Sequence, residues 1–381
     1  MRRWPWAAAV AVVGVSIAQL RTKRPLPYAG RPCTASGCRP SFLIIGIGKC
    51  GTSSLYYYLT AHPMVVQARR KQIQFFDHAY DASRISSRYL SQFPSSLKQG
   101  EVTGEASPGY AQYSQVPGRV AQHLHGVRIL VIARDPAERA HSSYHYNYVG
   151  SARVPLPFDL LIEAEIAFLE TFFRNGATRK CADKTCRDLS NDCYGARSAE
   201  AQAGSVARRY AGEQARKRFA KDPKAADTAA KGARRTAVAM SLPRLNAHLW
   251  RQLVGRGLYV SNLDWWYASH QSEDILLVCS EDLNDADKAA SEMGRVAAHV
   301  GLSSFNFGEA VSRGKYNAGA QHKGYNAVTS WADASKLAEK RPAMSATARH
   351  QIDNFTAPFN ERLFARTNHR CRWGHNHQSV V

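Results

Sequence analysis

A chain of 381 residues, 44% of them hydrophobic, can bury a full core, and one domain of about 250–330 residues with appendages is the simplest division. Its 51 lysines and arginines against 30 aspartates and glutamates leave a formal net charge of +21, which asks for an anionic partner: nucleic acid, a membrane surface or an acidic polysaccharide. No zinc-finger, homeodomain or RNP pattern occurs, so nucleic acid is not the expected partner.

At the N-terminus Arg2 and Arg3 precede an apolar run from Trp4 to Leu20, and Arg21, Lys23 and Arg24 follow it. The run is near the lower length limit of a membrane-spanning helix, while Ser16-Ile17-Ala18 suits signal-peptide cleavage. Residues 1–20 are therefore expected to be a membrane anchor or a signal peptide, with entry into the secretory pathway in either case. Residues 21–40, rich in Pro, Gly and Arg, read as a stem, and the globular body is expected over 41–374. Of the eight cysteines, Cys50 and Cys279 are expected as free thiols. Cys33, Cys38, Cys181, Cys186, Cys193 and Cys371 are compatible with three disulfides, and Cys33 and Cys38 are near enough for a small loop. Zinc on Cys181, Cys186 and Cys193 ranks below that, because no tight CxxC pair supports it. Asn354-Phe355-Thr356 is a glycosylation sequon.

Phe42 to Ile45 is a short apolar run suited to a parallel strand covered on both faces. Gly46, Gly48 and Gly51 then let the backbone turn sharply, Lys49 adds a positive charge, and Thr52, Ser53 and Ser54 open a helix that His62-Pro63 ends. A glycine-rich turn into a helix N-terminus attracts phosphate-like anions. Met64 to Val66 reads as a short strand, and Glu101 to Tyr110 as a strand edge and turn carrying Glu105. A helix over Val116 to Leu124 precedes a second buried strand, Arg128 to Ala133. Asp135-Pro136 starts the next helix, and Arg134 at the strand's end and Ser142 eight residues later, about two helical turns on, can face a common point.

Phe158 to Phe173 has helical periodicity. Residues 174–240, rich in Ala, Lys and Arg, read as an insertion, partly helical and partly mobile, or as a wall of an acceptor groove. Helices follow over Leu242 to Leu253 and, after Arg256-Gly257-Leu258-Tyr259, over Ser261 to Ser269. Ile275 to Cys279 is a third buried strand, Ala289 to Val300 a helix, and Ser312 to Asn326 a loop containing Lys323-Gly324-Tyr325. The expected fold class is α/β: a P-loop-like central parallel sheet flanked by helices, in one domain with an N-terminal membrane segment.

In a Walker A loop the lysine follows the last glycine directly; here it precedes it, as Lys49-Cys50-Gly51-Thr52. That order, with Leu55, Tyr56, Leu59 and His62-Pro63, resembles the 5′-phosphosulfate loop of sulfotransferases that use 3′-phosphoadenosine 5′-phosphosulfate (PAPS), in particular the Golgi carbohydrate sulfotransferases and related bacterial proteins. RDPAERAHSSY, Arg134 to Tyr144, resembles their 3′-phosphate-binding segment; RGLY with LLVCSEDL, their middle section; FTAPFNERLF and Trp373, their C-terminal helix and tryptophan. The resemblance covers about residues 41–170 and 242–374.

It implies a PAPS donor, no metal, and an acceptor hydroxyl on a carbohydrate, an anionic and glycosaminoglycan-like glycan above all, in a type II membrane glycoprotein with its catalytic domain in the Golgi lumen. Lys49 would stabilise the departing charge. Gly51, Thr52, Ser53 and Ser54 would cradle the 5′-phosphate, and Arg134 and Ser142 would hold the 3′-phosphate. Tyr259 belongs to the nucleotide site, and Lys323, Gly324 and Tyr325 match a late loop that closes over the nucleotide. The glutamate base of the glycan-modifying relatives is replaced by Gln72, and a neutral amide does not take the proton in the ordinary way. Glu105 is the expected substitute, with Asp77, His78 and His62 behind it. Two rivals are a catalytically decayed PAPS- or polyanion-binding protein, and a P-loop nucleotide kinase, which needs a serine or threonine where Cys50 stands.

Overall fold

The computed structural model describes residues 33–77, 79–149, 157–174, 223–224, 253–318 and 324–374. The expected anchor or signal, most of the stem, nearly all of the insertion, all but Leu253 of the helix expected over Leu242 to Leu253, and three cysteines, Cys181, Cys186 and Cys193, lie outside them. Among the described residues no helix is long and apolar enough to cross a membrane.

Four parallel strands form the central sheet: β1 (Phe42–Gly46), β2 (Gly104–Ala106), β3 (Arg128–Ala133) and β4 (Ile275–Cys279), in the order β2-β1-β3-β4. Phe42 pairs with Gly104 on one side and Arg128 on the other, and Ile129 pairs with Ile275. The FLII, ILVIA and ILLVC runs are almost wholly buried, as a parallel sheet covered on both faces requires. Gly104 has no room for a side chain, since a Cβ there would meet the Phe42 carbonyl oxygen at 2.5 Å. Met64 to Val66 does not become a strand of this sheet; only Val65 pairs, in one parallel bridge to Val102.

The helices that cover the sheet are α1 (Thr52–Leu59), α2 (Val116–His123), α3 (Pro136–Tyr144), α4 (Phe158–Arg174), α5 (Tyr259–Tyr267), α6 (Ser280–Leu283), α7 (Ala286–His299) and α8 (Gly308–Ser312). Helix α5 starts two residues before the expected Ser261, so Tyr259 stands in its first turn. The region expected as loop carries a small antiparallel pair, β5 (Lys315–Tyr316) with β6 (Val328–Thr329), followed by α9 (Trp331–Glu339). The final helix, α10 (Ala346–Thr367), is twice the length expected and ends on Asn368 in the left-handed region at φ 48°.

That turn sends the chain back to the end of β4, where Cys371 forms a disulfide with Cys279. Cys279 is therefore not the free thiol expected from its apolar strand; the partner arrives from 92 residues away. Cys33 and Cys38 close the small loop their spacing allows, and Cys50 is free and buried.

Candidate active site

The chain leaves β1 for β2 on one side and returns to β1's other side as β3. The two strands are neighbours whose following segments diverge, and ligands of open α/β sheets bind in the crevice at such a point. Two loops meet there. In the first, Lys49 (φ 73°) and Gly51 (φ 101°) both adopt left-handed backbone, which turns the chain directly into α1. No side chain caps α1, so its first-turn N–H groups remain for a ligand, and the hydroxyls of Thr52, Ser53 and Ser54 are buried beside them. The Ser54 hydroxyl accepts the Tyr316 N–H at 3.0 Å, which ties the late hairpin to the loop.

The second loop is braced from three sides. Asp135 caps α3 by accepting the N–H groups of Ala137 and Glu138, both at 3.0 Å. Its other oxygen takes Arg349 at 2.6 Å and the Gly374 N–H at 3.0 Å, while its own N–H donates to Glu281 at 2.8 Å. The buried Tyr259 hydroxyl donates to the Arg134 carbonyl at 2.6 Å. The backbone that presents Arg134 is thereby fixed, and its guanidinium is left with one flexible partner, Glu138 at 3.1 Å.

Between the loops lies a cleft of about 450 Å³. Seven basic side chains line it, Lys49, Lys71, Arg134, Arg139, Arg256, Lys315 and Arg341, and none of its lining residues among those described is an aspartate, glutamate or histidine. Burial, then repulsion from Arg341 and Arg134, lowers the Lys49 ammonium to about 8; its Nζ sits 3.9 Å from the centre of the Tyr146 ring. Burial lowers Lys71 further, to about 7, against the attraction of Glu105. Burial, then Arg134 and Arg341, also lowers Lys315. Burial raises the Cys50 thiol to about 11, which leaves it an unreactive filler beneath the loop. A cleft whose described lining carries seven basic groups and no acid, with Glu138 and Glu105 acting on it from outside, is complementary to a multiply charged anion.

No family model matches the chain. Among curated proteins, the chain is 31% identical over 162 residues to the membrane-associated sulfotransferase kil1 of Dictyostelium discoideum, a match covering 41% of this chain and 34% of that protein. It is 35% identical over 114 residues to human heparan sulfate glucosamine 3-O-sulfotransferase 5, covering 30% of this chain and 32% of that one. Over these stretches the chain is similar to sulfotransferases. It spans about a third of the length of the curated relatives it matches. A solved sulfotransferase from Alicyclobacillus acidocaldarius aligns with a TM-score of 0.48 at 18% identity, covering 88% of this chain and 98% of that chain.

Of the residues expected from the sulfotransferase resemblance, Lys49, Gly51, Thr52, Ser53, Ser54, Arg134, Ser142 and Tyr325 all line the one cleft. Tyr259 stands one step behind, holding the Arg134 backbone, and Gly324 adjoins Tyr325 without lining the cleft. Lys323 and His78 lie outside the described residues. Glu105 was expected to face the cleft; instead it is fully buried in β2, accepts the Ser107 hydroxyl at 2.7 Å and is not among the lining residues. Its neighbours are the reason: β2 pairs with β1 along its length, so the Glu105 side chain enters the packed layer. His62 is also away from the cleft, with Nδ1 accepting the Met64 N–H at 3.1 Å. Sequence reading missed Arg139, although it lies inside RDPAERAHSSY, and also Lys315, Arg341 and Tyr146, which belong to no motif. It also passed over Lys71, whose neighbour Gln72 had drawn the attention.

Proposed function

We propose that this chain is a sulfotransferase that moves the sulfuryl group of PAPS to a hydroxyl of a carbohydrate, an anionic glycan in the first place. The observation that carries the reading is one cleft, shared by the loop after β1 and the loop after β3, with no carboxylate among its described lining residues. PAPS bears phosphate on its ribose and a phosphosulfate at its other end, and the two loops offer one positive element to each.

Sulfuryl transfer, like phosphoryl transfer, is chiefly a matter of positioning and of neutralising charge. The first-turn N–H groups of α1 and the Thr52 and Ser53 hydroxyls cradle the 5′-phosphate. Lys49 stabilises charge on the leaving oxygen. Arg134 and Ser142, joined by Arg341, hold the ribose phosphate, where a guanidinium's paired donors suit phosphate oxygens. Tyr146 and Tyr325 cover the lysines and exclude water. When bound, PAPS supplies the activated sulfuryl group; everything else above is positioning by the protein.

The heparan sulfate named for one group of relatives, the excess positive charge and the basic cleft together support an already acidic glycan as acceptor. A Golgi or other secretory-pathway location, through residues 1–20, belongs to the same reading. The test is labelled-sulfate transfer from PAPS across a panel of glycans, tyrosine peptides and small alcohols. Transfer to an acidic glycan that Lys49→Ala reduces by on the order of a hundredfold or more supports the proposal. Tight nucleotide and glycan binding without transfer to any acceptor would favour a decayed, polyanion-binding protein instead.

A further inference from the structure

The transfer reaction needs a destination for the acceptor's proton, and the usual groups are missing from the described lining of the cleft. None of its described lining residues is a carboxylate or an imidazole, and Gln72 and Gln74 present neutral amides. Of the other titratable groups in that lining, burial raises the Cys50 thiol to about 11 and raises the Tyr325 phenol, whereas it lowers the lysine amines toward neutrality. We infer that Lys71 is the proton acceptor in this chain, its neutral amine taking the hydrogen of the incoming hydroxyl. The inference rests on the sulfuryl-transfer reading above.

Position supports it first. Lys71 is 6% exposed yet lines the cleft, and its Nζ stands 3.4 Å from the Thr52 hydroxyl in the first turn of α1, beside the loop that would carry the phosphosulfate. The Tyr325 ring lies 5.0 Å away on the opposite side, and the Lys71 carbonyl accepts the Ala106 N–H at 2.7 Å, which fixes its backbone to β2. The charged group acting on it is Glu105, buried in that strand.

Chemistry then separates it from Lys49. Burial, and then repulsion from Arg341, Arg134 and Arg139, lowers Lys49 only to about 8, and a phosphate-bearing ligand relieves the repulsion, so Lys49 stays the charged amine of the two when the donor binds. Lys71 is depressed by burial, with Glu105 opposing it, and a filled cleft does not lift that desolvation. In the transfer step the acceptor oxygen bonds to sulfur as the bond between sulfur and the 5′-phosphate oxygen breaks, the electron pair leaving with the phosphate. The hydroxyl proton passes to the Lys71 lone pair, and the ammonium so formed, stabilised by the Glu105 charge, loses its proton to solvent after product release.

A base and a mere cation are distinguished by Lys71→Arg, which keeps the charge and removes the lone pair. Calorimetry with 3′-phosphoadenosine 5′-phosphate is run on wild type, Lys71→Arg and Lys71→Ala, alongside kcat over pH 5.5–9 with labelled PAPS. The expected result is nucleotide affinity within about threefold of wild type for both variants and kcat lower by on the order of a hundredfold or more in both. Wild-type kcat should climb about tenfold per pH unit to a plateau, and small primary amines should restore turnover to Lys71→Ala in proportion to their concentration. Lys71→Arg within about threefold of wild-type kcat, or Lys71→Ala unresponsive to amines, overturns the assignment while leaving sulfuryl transfer standing. Wild type that binds no 3′-phosphoadenosine 5′-phosphate overturns the transfer reading and this inference with it.

Discussion

Two side chains set the chemistry at the smallest scale. Lys49 is presented by left-handed backbone and burial depresses it to about 8, so a bound anion should raise it toward its ordinary value. Nucleotide binding should therefore take up protons between about pH 7 and 9, and the calorimetric enthalpy should vary with the ionisation heat of the buffer in wild type but not in Lys49→Met. Glu105 is the opposite case, a carboxyl that burial raises from 4.5 to about 7. A group whose folded value lies above its unfolded one stabilises the fold at low pH and loses that contribution as pH rises through the folded value. Glu105→Gln should thus gain on wild type in thermal melts as pH rises from about 4.5 to about 7 and keep a constant offset above it. A parallel pair of melting curves across that range would show that Glu105 does not titrate in this way.

At the scale of elements, the site depends on clamps that carry no ligand. The buried Glu165 carboxylate of α4 accepts three backbone N–H groups, from Leu253 at 2.8 Å, Val254 at 3.0 Å and Gly255 at 2.8 Å. Arg139 of α3 donates to the Leu253 carbonyl and also lines the cleft, so one turn of chain is held by an acid on one helix and a base on the next. Glu165→Gln replaces part of this acceptor with an N–H₂ group facing donors and should cost about 1–3 kcal/mol in chemical denaturation. Weaker nucleotide binding should accompany it, since Arg139 loses its seat. The strands that carry the loops were legible: β3 and β4 have the boundaries expected from their continuous apolar runs, and β1 differs only by including Gly46. Helix α9 was not, because WADASKLAE buries no residue and its apolar positions Ala334, Leu337 and Ala338 line the cleft rather than the core. The first half of α10 was missed for its polar face, and its register is set by contacts such as that of Arg349 with Asp135, distant in sequence. Motif spacing found the two loops. It could not find Lys315 and Arg341, which reach the cleft only once the hairpin and α9 fold over it.

The whole molecule carries a formal +21, and the described residues that line its cleft include seven basic side chains and no acid. Long-range attraction of this kind steers a polyanion toward the site and is screened over about 8 Å at physiological ionic strength. Affinity for a sulfated glycan should fall steeply between 50 and 300 mM salt, roughly an order of magnitude or more, while thermal stability changes little over the same range. A salt-insensitive glycan affinity would mean that contacts other than charge dominate recognition. The same concentration of charge makes a sharper demand on the nucleotide, since two positive loops on one cleft are worth having only for a ligand with an anion at each end. Calorimetric titration of the full chain with 3′-phosphoadenosine 5′-phosphate and with ADP, which lacks the ribose phosphate, tests this directly. The first should bind at least about tenfold more tightly, and Arg134→Ala should erase the difference; equal or tighter binding of ADP would contradict the account.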